Sequence, residues 1–180
     1  MLLNYSACEQ KYTNAYHITQ SLNDKRIYRI ERGLYSDTPH VSELAIIQKK
    51  YPKVIFTMES AFYYHGLTTD IPDYYHIATP AKAARLKDSR IKQVYVPDKV
   101  FSLGLVEQEQ EGTTIRIYDK ERMLIELLRY KDKLPYDYYK EILRNYRKIV
   151  DRLDIERIQE YATIFPKSEI LWKRLEEEVF

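Results

Sequence analysis

The chain has 180 residues, 44% hydrophobic and 31% charged, with Tyr at 18 positions but only 4 Gly and 7 Pro. That balance reads as a soluble globular protein with little material for linkers, and it excludes a disordered chain. A net charge of +2 and a pI near 8.4 do not mark a nucleic-acid binder by total, so the placement of the basic residues has to decide.

From the front, Tyr5 to Lys11 and Ala15 to Leu22 carry two short helical patterns separated by Tyr12-Thr13-Asn14, where Thr and Asn are natural caps. Lys25 to Ser36 follows: Ile27 to Ile30 favours a strand, and Gly33 permits a tight turn into a second one. A helix pair followed by a small hairpin predicts a minimal winged helix-turn-helix over residues 1–37. Thr38-Pro39 closes that module, because proline disfavours helix at the residue before it. Residues 38–180 then form an α+β domain: a small mixed β-sheet with a helical C-terminal part.

In this second domain Ser42 can cap a helix to about Lys50 with Leu44 and Ile47 on its apolar face. Val54-Ile55-Phe56 reads as a buried strand, and Thr57 as the cap of a helix from Met58 to His65 closed by Gly66. Strands are expected at Tyr75 to Ala78, Gln93 to Val96, Leu105 to Glu109 and Thr114 to Tyr118, the last two joined at Glu111-Gly112. Asp119 can cap a helix whose stripe is Met123, Leu124, Leu127 and Leu128. After Pro135 a second stripe runs through Tyr139, Ile142, Leu143 and Tyr146, and helices near Ile155 to Phe165 and Glu169 to Val179 complete the chain.

The densest basic cluster lies on the expected wing: Lys25, Arg26, Arg29 and Arg32 against the single acid Glu31. Such side chains suit phosphate contact, though a solvated strand face is the plainer use of a charge run. The second helix offers Asn14, Tyr16, His17, Gln20 and Ser21, an uncharged polar set able to read base edges, with Ala15, Ile18 and Leu22 facing inward. Any amphipathic surface helix has such a polar side.

Other chemistry has little support. His17, His40, His65 and His76 are scattered, and no paired metal-ligand spacing occurs, so no metal site is expected. Four isolated glycines write no phosphate loop, and neither a cofactor nor a catalytic residue is expected. Asp119-Lys120-Glu121 has a nuclease-like composition in the wrong order, and helix capping accounts for Asp119. Tyr138, Tyr139 and Tyr146 read as packing rather than base stacking. Cys8, the single cysteine, excludes an intramolecular disulfide framework and fits a reducing, cytoplasmic location. No apolar run approaches the roughly 18 residues of a membrane span, and no basic stretch precedes a hydrophobic segment at the front, so neither secretion nor membrane insertion is expected.

Two segments carry a resemblance. Ile27-Tyr28-Arg29-Ile30-Glu31-Arg32-Gly33-Leu34-Tyr35 is similar to the wing of the AbiEi-type antitoxins of abortive infection. Val54 to Leu67, with Ser60-Ala61 and His65-Gly66-Leu67, resembles that family's strand and following helix; Ile71-Pro72, Ala78-Thr79-Pro80 and Asp119 to Leu124 extend the likeness. The resemblance implies a repressor of its own type IV toxin-antitoxin operon that binds double-stranded operator DNA. It also implies a C-terminal domain that counteracts a nucleotidyltransferase-like toxin, with direct contact not required. The chain departs from the family at its front, where the winged helix must fit into residues 1–37 without a usual first helix. Two alternatives remain: a protein-interaction module of a defence locus without specific DNA binding, and a magnesium-dependent nuclease using Asp119 or Glu121.

Overall fold

A computed structural model describes all of residues 1–180, an α+β chain with nine α-helices and two sheets. It divides into two compact units, Met1–Pro52 with Glu111–Thr113, and Lys53–Gln110 with Thr114–Phe180.

The first unit begins with a strand the sequence reading did not include, β1 (Leu2–Asn4), and continues with α1 (Tyr5–Tyr12) and α2 (Ala15–Asn23). Asn4 and Asn14 cap the two helices, their side-chain oxygens accepting from Ala7 N and His17 N at 2.9 and 3.0 Å. The hairpin β2 (Tyr28–Glu31) and β3 (Leu34–Ser36) follows, turning at Gly33 with φ +78°. β1 pairs with β3, giving an antiparallel sheet ordered β1-β3-β2 with an irregularity between Arg29 and Glu31. Cys8, Ile18, Ile27 and Tyr35 form the core between helices and sheet, with Leu3, Tyr12 and Leu22 packed around them.

The helix α3 (Glu43–Lys50), capped by Ser42, packs near β1 and belongs to this unit. The unit therefore runs past the Thr38-Pro39 step to Pro52. The proline step ends the hairpin, but α3 buries Leu44, Ile46 and Ile47, and that apolar face returns to the same body.

The second unit holds β4 (Ile55–Phe56), α4 (Met58–Tyr64), β5 (Tyr75–Pro80), β6 (Ile91–Val96), α5 (Asp98–Phe101), β7 (Leu105–Gln110) and, from Thr114 on, β8 (Thr113–Tyr118). Its sheet is ordered β6-β5-β4-β8-β7 and is mixed, with β4 antiparallel to β5 and parallel to β8, and β5 parallel to β6. Glu111 and Gly112, at φ +51° and +73°, make the two-residue turn between β7 and β8. Thr57 does not cap α4 as expected: its hydroxyl faces Met123 Sδ at 3.8 Å, and the helix starts with no side-chain cap.

Four helices complete this unit: α6 (Lys120–Arg129), α7 (Tyr136–Arg147), α8 (Ile155–Ile164) and α9 (Ser168–Glu178). α6 is buried without a break from Arg122 to Leu128, so it is an interior helix rather than the one-sided helix its stripe predicts. No helix is long and apolar enough to cross a membrane.

Candidate nucleic-acid interface

Ile18 is the buried anchor of α2, which places the opposite face outward. Tyr16 is 72% exposed, and His17, Thr19 and Gln20 are exposed with it. Tyr16 and His17 rings meet edge to face at 5.5 Å, and Thr19 donates to the Ala15 carbonyl at 2.9 Å, so this face is locally ordered. Asn14 is exposed but its Oδ1 is committed to the helix cap, leaving its amide nitrogen outward.

Two expectations for α2 need correction. Ser21 is 3% exposed and cannot reach a base edge. It lies three residues after Ile18 on the inward side, and its carbonyl receives the N–H groups of Arg26 and Ile27 at 2.9 and 3.3 Å, so the chain folds back over it. Ala15, expected inside, is exposed because it stands in the first turn beyond the reach of the core.

All four basic residues of the hairpin region, Lys25, Arg26, Arg29 and Arg32, are exposed. Lys25 takes a left-handed φ of +55° in the link between α2 and β2. Arg26 pairs with Asp24, an exposed pair that competes little with a phosphate. Glu31, the one acid among them, is drawn to Lys50 of α3 at 3.1 Å. Arg29 and Arg32 thus stand on the hairpin with its carboxylate engaged by a lysine. Every expected contact residue except Ser21 is exposed, and all of them belong to the first unit.

The Asp119 to Glu121 segment is engaged in the second unit. Asp119 Oδ1 accepts from Arg122 N at 2.7 Å and Oδ2 from Tyr161 OH at 2.9 Å, so capping is only part of its role. Burial pushes its carboxyl above the usual range. Glu121 Oε1 accepts from Asp154 N at 3.0 Å. Arg122 is fully buried, bonded to Glu126 Oε1 at 3.2 and 2.7 Å and to Val100 O at 2.9 Å, with Phe165 4.2 Å from its guanidinium carbon. The sequence reading did not include this buried charge, and its only signal was an Arg and a Glu four apart inside an apolar run. No group of three or more His, Cys, Asp or Glu side chains converges in metal-binding geometry.

No protein-family model matches the sequence, and no curated protein does. Among solved structures, the chain is similar to the RV2827C protein from Mycobacterium tuberculosis, with a TM-score of 0.62 and 15% identity over 97% of this chain and 69% of that one. At that identity the likeness concerns the fold.

Proposed function

We propose that this chain is a DNA-binding transcriptional repressor and the antitoxin of a type IV toxin-antitoxin system, its first unit a minimal winged helix-turn-helix. The observation that carries the DNA reading is the exposed, uncharged polar face of α2 together with the exposed arginines of the hairpin that follows it in the chain. An α-helix, about 10–12 Å across with its side chains, fits a major groove about 12 Å wide. Tyr16, His17 and Gln20 contact base edges there, while Asn14 stands at the helix N-terminus, whose partial positive charge favours phosphate. Lys25, Arg26, Arg29 and Arg32 contact the backbone; contacts of that kind position the protein, and the helix supplies sequence preference. Within the same unit the strand β1 pairs with β3 of the hairpin, and the helix α3 packs on β1.

The antitoxin role rests on the resemblance of the wing and of the Val54 to Leu67 segment. In this reading the second unit acts against a nucleotidyltransferase-like toxin, and the protein itself catalyses nothing.

The test is replacement of Arg26, Arg29 and Arg32 by Ala. Operator affinity falls and the log-log salt slope flattens by about 0.9 for each lost phosphate contact. Unchanged affinity and slope at moderate salt contradict a role for the hairpin.

A further inference from the structure

A recess of about 260 Å³ in the second unit is lined by Glu59, His76, Tyr138, Lys92 and the Asp70 to Tyr74 loop. It lies below the roughly 300 Å³ at which small-molecule pockets begin, so it suits the head of a side chain better than a nucleotide. Three carboxylates, Glu59, Asp70 and Asp73, face one lysine, Lys92.

His76 is 4% exposed and held in place: its backbone N–H donates to Ser60 Oγ at 2.8 Å, and its Nδ1–H donates to the Tyr74 carbonyl at 3.2 Å. A carbonyl only accepts, so Nδ1 carries a proton, and in the neutral ring Nε2 then presents a lone pair. Nε2 is buried without a hydrogen-bond partner, although Glu59 Oε2 lies 3.1 Å away. Two acceptors at that separation repel unless a donor lies between them or a proton joins them. Burial lowers His76's affinity for a proton, with Glu59 opposing that effect and Lys92 reinforcing it. The Tyr138 hydroxyl, on the same recess, is a second buried polar atom without a partner, although its ring packs edge to face on Phe62 at 6.5 Å. Unpaired buried groups of this kind each cost free energy that a ligand recovers.

We propose that the recess receives a guanidinium group, the head of an arginine side chain presented by a partner polypeptide, donating to His76 Nε2 and the Glu59 carboxylate together. A planar fork of N–H donors matches two adjacent acceptors, which a single ammonium does less well. The partner is a polypeptide because two apolar side chains stand exposed at the recess beside its charged groups, Ile71 at 76% and Tyr74 at 50%, a mixed surface suited to a protein contact. The inference stands on the second unit alone and is independent of DNA contact.

The test is an NMR titration of the full chain, reading the His76 ring nitrogens, with blocked arginine amide, blocked citrulline amide and spermidine as probes. Arginine amide shifts the His76 resonances saturably, citrulline does not, and spermidine binds more weakly. Glu59→Gln and Tyr138→Phe, each checked for a native amide spectrum, weaken arginine amide about tenfold. Two results overturn the proposal: a doubly protonated His76 at neutral pH, which means the pair satisfies itself, or no shift with arginine amide. Tighter binding of spermidine than of arginine amide overturns the assignment to a side chain.

Discussion

Lys50 Nζ at the end of α3 lies 3.1 Å from Glu31 Oε2 on the hairpin, so the helix after the hairpin holds the hairpin's only acid. Both side chains are partly exposed, and such a pair contributes about 0.2–1 kcal/mol. Glu31→Gln therefore lowers stability by no more than that in urea unfolding and leaves DNA affinity equal or higher. A clear loss of DNA affinity in a folded Glu31→Gln protein contradicts the placement of the phosphate contacts on Arg29 and Arg32.

Ser21 and Gln20 are adjacent in sequence and opposite in exposure. On the proposed DNA reading, Ser21→Ala leaves operator affinity within about twofold, whereas Gln20→Ala weakens it by about 1–3 kcal/mol, the contribution of a base contact. Ser21→Leu overpacks the space beneath the chain and costs about 1–3 kcal/mol of stability. Anisotropy titrations and denaturant curves on the three variants separate the two roles.

Much of the fold was legible because local signals agreed with the tertiary structure. Asn14, Ser42 and Asp119 cap the helices they were expected to cap, and Glu111-Gly112 turns the hairpin it was expected to turn. Other features were not legible for physical reasons. β1 has three residues and exists only through pairing with β3. The interior position of α6 depends on what surrounds it, and Arg122 and Glu126 look like surface residues until their partners are known. On α2, the polar face was legible from spacing, but Ser21 was misplaced because the fold-back of Arg26 and Ile27 onto its carbonyl is a contact beyond the helix.

Arg122 is the largest fully buried side chain, and its loss leaves Glu126 buried with only Arg129, at 2.7 Å, as counterion. Arg122→Ala destabilises by about 3–5 kcal/mol. Gly104→Ala is also destabilising, since a Cβ there meets Arg122 Cβ at 2.6 Å and the backbone sits at φ +75°. Denaturant midpoints near the parent value for both variants contradict this packing.

His65 Nε2–H donates to the Tyr118 carbonyl at 2.7 Å, and burial pushes its pKa below the usual value of about 6.5. The carbonyl bond and Glu121 oppose the shift, and Lys120 adds to it. The unfolded chain takes up this proton first as pH falls, so the His65 contribution is fully present above about pH 6.5 and is lost between there and the depressed folded value. His76 is shifted the same way and adds a parallel slope. Stability measured by urea unfolding falls on acidification through this window, and His65→Gln reduces the slope without removing it.

The most direct measurement is an anisotropy titration of the purified protein against its own upstream DNA and a scrambled duplex at two salt concentrations. If the first unit reads an operator, the upstream sequence binds more tightly than the scrambled one at both salts. With four phosphate contacts from Lys25, Arg26, Arg29 and Arg32, the log-log salt slope is about −3.6. Equal affinity for the two duplexes, or no binding to either, contradicts the repressor reading.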